Sequence, residues 1–298
     1  MTNQNRFDSR QCEAFLSVVD RGSFELAAQS LNLTASAVSQ RVKALEMQLG
    51  NTLLIRSRPC RPSAAGQKLL QHLRRVAELE QDLQSDFAGQ QSAAISIAIA
   101  VNADSLNSWV LPALSEFLIA ENILLEFLID DQDHTHDLLE SGMVLGCISA
   151  ESQAMRGCQA TPLGVMRYHA LASKDYCARW FPQGMTREAA RLAPALTFNR
   201  KDKLQAQLLL QHFGLQENAY ATHFIPATTP YNNAIVLGLG WGVIPEMMLN
   251  TLPGKDQLVR LLPEQPADVA LYWHHWKVQT PRLARLTNTL IKQARISL

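Results

Sequence analysis

The sequence predicts an α/β protein with a helix-rich amino-terminal unit, a long connecting helix and a larger unit in which strands and helices alternate. Three observations carry that expectation. The first 88 residues hold apolar residues at helical spacing, with one short strand-like run. From Ala93 onward, β-branched and leucine runs alternate with amphipathic stretches, the pattern of a sheet covered by helices. A chain of 298 residues is long for one core and comfortable for two.

Hydrophobic residues make up 47% and charged residues 18%, which excludes a disordered chain, a collagen-like fibre and a disulfide scaffold. The stretch Met1 to Leu16 has no apolar segment of a secretory signal. The richest apolar run, Ala93 to Val101, is too short for a bilayer, so no membrane partner and a cytoplasmic location are expected. The five cysteines are scattered without a C-x-x-C pair, which fits reduced thiols better than a disulfide or zinc framework. Lys and Arg number 27 and Asp and Glu 27, yet the charge is uneven. Between Asn32 and Pro62, Arg41, Lys43, Arg56, Arg58 and Arg61 stand against one acid, Glu46. Such an island points to a polyanionic partner at one end of the molecule, with a solvated charged face as the alternative.

Cys12, Phe15, Leu16 and Val19 mark a first helix, stopped by Gly22 and Ser23. Ser23 can cap a second, on which Phe24, Ala27, Ala28 and Leu31 form a stripe. Asn32 and Leu33 turn the chain, and Thr34 caps a third helix beginning at Ala35. On that helix Val38, Val42, Leu45 and Leu49 share one side, with Ser36, Ser39, Gln40 and Lys43 opposite and Arg41 on the flank. Small hydroxyls, an amide and an ammonium suit the base edges and phosphates of a major groove. Gln40 can bind adenine in bidentate fashion, and Ser36 and Ser39 can meet phosphate or base. Spacing, caps and basic flank together describe a helix-turn-helix. The run Leu53 to Ile55, followed by Arg56, Arg58 and Arg61 among prolines, reads as a wing whose arginines track the backbone or enter the minor groove. A long helix is expected after Gly66, reaching about Phe87. Leu69, Leu73, Val76, Leu83 and Phe87 give it an apolar seam broken at Glu80, fit for pairing with a second copy.

The segments Ala27-Ala28-Gln29-Ser30-Leu31, Thr34 through Glu46, Leu49-Gly50, Leu53-Leu54 and Arg56 resemble the LysR-type transcriptional regulators. The resemblance implies a winged helix-turn-helix over residues 1–63, a dimerisation helix over 64–88, and an effector-binding domain over 89–298. That last domain would have two periplasmic-binding-protein-like lobes, at about 92–162 with 267–298 and at about 163–266, the chain crossing near Pro162 and Pro266. It further implies double-stranded promoter DNA as partner, with Thr34 and Ala35 joining the DNA-contacting set. Assembly to a homodimer or homotetramer and RNA polymerase as a further partner are implied in the same way.

Read from its own spacing, the rest of the chain is parallel α/β. A hinge at Gly89 to Ser92 leads to a strand ending at Val101. Then come a helix from Leu111 to Leu118, a strand from Leu124 to Ile129, a helix from Asp137 to Met143 and a strand from Val144 to Ser149. Further strands are expected near Tyr168 to Ala172 and Val269 to Trp276, and helices at Leu204 to Phe213 and Leu283 to Ile296. One of His274 and His275 is expected in the core. Ligands in open α/β sheets bind where strands end and helices begin. That rule selects Asn102, Asp104 and Ser105, then Asp130 and Asp131, then Ser149, then Thr228 and Thr229. The acids among them suit a ligand with cationic groups, although acids at helix starts are also simple caps. Asn102 through Leu106 with Trp109, then Leu111-Pro112, resembles the subgroup of LysR-type regulators that sense lysine and arginine and control basic amino acid export, some members of which are called chromosome initiation inhibitors. That resemblance adds Trp109 to the effector set. One departure is Thr229, followed by Pro230, where the subgroup usually carries an acid.

Asp130, Asp131, Asp133, His134, His136 and Asp137 lack metal-ligand spacing, so no metal and no cofactor beyond the effector are expected. No G-x-S-x-G, phosphate loop or dinucleotide fingerprint supports an enzyme. A solute-binding transport protein would need a secretory signal and no basic helices.

Overall fold

The computed structural model describes residues 7–88, 94–130 and 135–298. It divides into two compact units, Met1–Ala93 with Glu140–Met143, and Ala94–Leu139 with Val144–Leu298.

In the first unit, α1 (Ser9–Arg21), α2 (Phe24–Ser30) and α3 (Ala35–Leu49) form a helical cluster. Their ends obey local chemistry. Asp8 accepts from the Arg10 and Gln11 amides, Ser23 from Leu26 and Thr34 from Ala37. Gly22 closes α1 in the left-handed region at φ 72°. Val38, Val42 and Leu45 of α3 are buried with Phe15, Val18 and Ala27, each large side chain contributing about 1.5–3 kcal/mol. Leu49, expected on that side, is only half-buried. The wing is an antiparallel pair, β1 (Leu54–Ile55) and β2 (Arg61–Pro62).

The long helix α4 (Ala64–Ala88) starts before Gly66, not after it. Ser63 is the reason: its hydroxyl accepts from the Gly66 amide at 3.1 Å. Gly66 sits inside the first turn because the Leu53 carbonyl crosses there, where an added Cβ would lie 2.0 Å from the oxygen.

The second unit holds β3 (Ile95–Val101), α5 (Ala103–Ser105), a π-helical turn Leu106–Val110, α6 (Leu111–Ala120), β4 (Ile123–Ile129), α7 (Thr135–Glu140) and β5 (Gly146–Ser149). A 16-residue strand, β6 (Cys158–Ser173), is next. After it come α8 (Lys174–Trp180), α9 (Arg187–Leu192), β7 (Ala195–Thr197), α10 (Leu204–Phe213), β8 (Thr222–Phe224), α11 (Thr228–Val236), β9 (Gly242–Pro245), α12 (Glu246–Leu249), β10 (Leu258–Arg260), β11 (Ala267–Trp276) and α13 (Pro281–Ser297).

The sheet is mixed, which corrects the parallel expectation. Among the described strand pairs, β3 with β4 and β5, and β7 with β8, run parallel, and the others run antiparallel. The chain returns along β6 and β11, which pair antiparallel from Ala267 opposite Tyr168 to Trp276 opposite Cys158. The strand expected at Tyr168 to Ala172 is the far end of β6, which runs through Pro162, and β11 begins directly after Pro266. The register shifts between Leu271 and Tyr272. One end of this ribbon is flanked by β5, β3 and β4, and the other by β9 and β10. Two element groups therefore hang from a shared pair of strands. Ile97, Ile99, Val101, Trp273, Leu286 and Leu290 anchor the core.

His274 and His275 are both buried, where one was expected. His274 Nε2 donates to the Glu151 carbonyl at 2.6 Å, and His275 Nδ1 to the Trp276 carbonyl at 2.9 Å. The five cysteines are free thiols. Among the described residues no helix is long and apolar enough to cross a membrane.

Candidate functional site

The first site is the outward face of α3 with the wing. Ser36, Gln40 and Lys43 are exposed at i, i+4 and i+7, one side of the helix. Ser39 and Arg41 are half-buried on its flanks, as is Ala35. Thr34 is exposed, with its hydroxyl engaged as the cap. Arg56, Arg58 and Arg61 are exposed on the wing. The Arg56 guanidinium lies over the Phe24 ring at 5.3 Å from its centre, tying the wing to α2. Cys60 donates its amide to the Gly22 carbonyl at 2.7 Å, a second tie. Glu46 accepts from the Leu53 amide at 2.8 Å, so the single acid of the basic segment fastens α3 to β1. A polar helix face no bulkier than glutamine and lysine, beside three exposed guanidinium heads, has the size and chemistry that a major groove and its flanking phosphates accept.

The second site is a pocket of about 120 Å³ in the second unit. Asn102 and Asp104 reach it from the end of β3, Asp130 from the end of β4, Tyr168 from β6, Thr228, Tyr231 and Asn232 from α11. Asp202 and Gln205, at the start of α10, complete its polar wall. The two element groups meet across it. Tyr168 donates to Asp104 Oδ2 at 2.9 Å, and Asn107 Nδ2 donates to Thr228 Oγ1 at 3.2 Å. Lys201 Nζ reaches Asp130 at 2.7 Å.

Asp202 accepts from the Phe198 and Leu204 amides. Gln205 donates its amide nitrogen to the Tyr231 hydroxyl at 2.9 Å, which leaves Gln205 Oε1 buried without a partner. Asn102 Oδ1 is buried and unpartnered too. Burial pushes the Tyr231 hydroxyl up, so it stays protonated. Among the described residues the wall thus offers three carboxylates and two orphaned acceptor oxygens, and no Lys, Arg or His lines it. Orphaned buried acceptors are costly, and a ligand rich in N–H donors relieves them.

The amino-terminal residues 9–67 match the model for bacterial regulatory helix-turn-helix proteins of the lysR family, and residues 90–295 match the LysR substrate binding domain. The chain belongs to the LysR family of regulators. This LysR-family chain is 39% identical over 292 residues to the transcriptional regulator ArgP of Pseudomonas aeruginosa, covering 97% of this chain and 96% of that one. It is similar to the crystal structure of ArgP from Mycobacterium tuberculosis, with a TM-score of 0.83, 38% identity, and 97% and 98% of the two chains covered. It is also similar to full-length LysG of Corynebacterium glutamicum with bound effector Arg, with a TM-score of 0.76, 32% identity, and 98% and 99% covered. Its relatives carry the names of transcription regulators and not of enzymes.

Of the effector residues expected in this LysR-family chain, Asn102, Asp104, Asp130 and Thr228 line the pocket. Ser105, Trp109, Ser149 and Thr229 do not. Trp109 packs into the core at 3% exposure, because its position on the π-helical turn faces the sheet. Ser105 is fully buried. Ser149, also buried, accepts from the Glu151 amide, and Thr229 is exposed on the outside of α11. Asp131 lies outside the described residues. Tyr168, Asp202, Gln205, Tyr231 and Asn232 were missed. The strand-end rule applies to Asp202 and Gln205, but β7 before them spans only Ala195–Thr197, too short to show a period.

Proposed function

We propose that this chain is a cytoplasmic transcription regulator of basic amino acid export whose effector is lysine or arginine. The supporting observation is the pocket, which unites Asp104, Asp130 and Asp202 with the unpartnered oxygens of Asn102 and Gln205. A guanidinium or ammonium supplies the N–H donors that the Asn102 and Gln205 oxygens lack, and its charge complements the three carboxylates. The effector's carboxylate is met by the free amides at the start of α11, where Thr228 lies. Asp202 brings a carboxylate from the α10 side, which makes up for Thr229 standing where the resembling subgroup usually carries an acid. The arginine bound to Corynebacterium glutamicum LysG points the same way.

In this reading residues 1–63 bind double-stranded promoter DNA, 64–88 pair two subunits, and 89–298 sense the effector. The sensing lobes are about 92–162 with 267–298, and about 163–266. A dimer sets two α3 helices into successive major grooves, with Ser36, Ser39, Gln40 and Lys43 toward the bases and Arg41, Arg56, Arg58 and Arg61 toward the phosphates. Leu79, Leu83 and Phe87, exposed at 53%, 57% and 85%, form the pairing stripe of α4. Two dimers make the tetramer, and RNA polymerase is the partner met at the promoter. The chain performs no catalysis and holds no other cofactor. A pocket of about 120 Å³ is below the ~300 Å³ typical of ligand sites, so an amino acid enters by widening the cleft. Coupling to DNA requires the effector to prefer one cleft width over the other.

The test is a thermal-shift screen of the purified protein against the free amino acids. Lysine or arginine raises the unfolding midpoint, and Asp104→Ala abolishes the rise. A response to acidic or neutral amino acids only would refute the effector assignment.

A further inference from the structure

Lys201 lies between β7 and α10, outside the lining of the pocket, yet its Nζ reaches both carboxylate oxygens of Asp130, at 2.7 and 2.8 Å. The two residues are 71 apart in sequence and stand on opposite sides of the cleft. Asp130 is 24% exposed and Lys201 50%, so the lysine stem stands in water while its head covers the carboxylate. The other two pocket acids are held differently, Asp104 by the Tyr168 hydroxyl and Asp202 by backbone amides. Lys201 therefore brings a full positive charge to a wall that otherwise offers acceptors. A primary ammonium on a four-carbon stem is also the group that ends a lysine effector.

We propose that Lys201 is a tethered competitor for the effector's cation. This rests on the basic-amino-acid reading above. Until an effector enters, its ammonium neutralises Asp130. A guanidinium or ammonium entering the pocket takes Asp130, and Lys201 swings into solvent. The lysine side of the pair is exposed and Asp130 half-buried, so displacing it weakens the effector by the small worth of such a pair. The device sets the effector concentration at which the protein responds, and it acts on cationic ligands alone.

The experiment is isothermal titration of the full-length protein with arginine, lysine and citrulline, the uncharged analogue of arginine. Lys201→Gln is expected to bind arginine and lysine about 2- to 5-fold more tightly, the range of an exposed ion pair. Citrulline affinity stays within experimental scatter of the wild type, and Lys201→Arg, which keeps the charge, binds arginine as the wild type does. Unchanged or weaker arginine binding by Lys201→Gln overturns the proposal, as does an equal gain for citrulline, which would mark a general opening of the cleft. A wild-type protein that binds neither arginine nor lysine overturns the effector reading and this inference together. A wild type that binds them while Lys201→Gln shows no gain overturns this inference alone.

Discussion

The Tyr231 hydroxyl accepts the amide nitrogen of Gln205 at 2.9 Å and also the Val243 backbone N–H at 2.9 Å. The hydroxyl can donate in turn to the Leu196 or Val243 carbonyl, each 3.3 Å away. This one oxygen therefore joins α11, α10, β7 and β9, and it fixes which end of the Gln205 amide remains for a ligand. Tyr231→Phe leaves the Val243 and Gln205 donors buried without a partner, which costs about 1–3 kcal/mol. Chemical denaturation should show that loss. Arginine binding should weaken as well, because the Gln205 amide is then free to turn its nitrogen toward the pocket. A variant of wild-type stability and affinity would refute the role.

Gln40 and Arg58 should separate base reading from backbone binding. Gln40→Ala should lose about 1–3 kcal/mol of preference for the cognate site while binding random DNA nearly as before. Arg58→Ala should weaken binding to all sequences and reduce the slope of log affinity against log salt by about one. Gel shifts across a salt series distinguish the two. Equal losses on cognate and random DNA would remove Gln40 from the reading face.

Gly66 tolerates no side chain. An alanine Cβ would meet the Leu53 carbonyl oxygen, and backbone cannot rotate away as a side chain can. Gly66→Ala should cost at least the ~1–3 kcal/mol of an overpacked core and should loosen the wing through Leu53. Lower thermal stability with reduced DNA affinity checks it.

Leu83 and Phe87 should hold two copies together. Replacing both with Asp should leave the fold intact, since each is more than half exposed, and should convert the dimer to monomer in sedimentation experiments. A double variant that still dimerises would move the interface elsewhere.

His274 and His275 give stability a pH dependence of known sign. Burial holds both imidazoles below their ordinary 6.5, and His136 packs edge-on against His274. The unfolded chain takes up protons near pH 6.5 that the folded chain refuses. Stability is therefore full above that pH and falls as the pH drops below it. Unfolding midpoints at pH 7.5 and 5.5 test this, and His274→Gln should flatten the difference.

The legible part of this protein was the part decided by neighbours in the chain. Ser23, Thr34 and Gly22 cap or end helices through bonds to residues three or four away, so the three helices and the exposed Ser36, Gln40 and Lys43 could be read from spacing. Asn102 and Asp104 were legible for a similar reason, because a strand of alternating isoleucines ends beside them. Trp109, added by the resemblance, packs into the core, a placement that its position in the sequence does not show.

Interactions over a few residues thus set the helix-turn-helix, its polar face, the basic wing and the alternation of strands and helices beyond Ala93, and these the amino-acid order carries alone. The remainder was settled in three dimensions. Returning the chain along β6 and β11 made the sheet mixed, and it brought Asp202, Gln205 and Lys201 to face Asp104 and Asp130. Those contacts span scores of residues and obey no period, because they are set by where two crossover strands carry the chain.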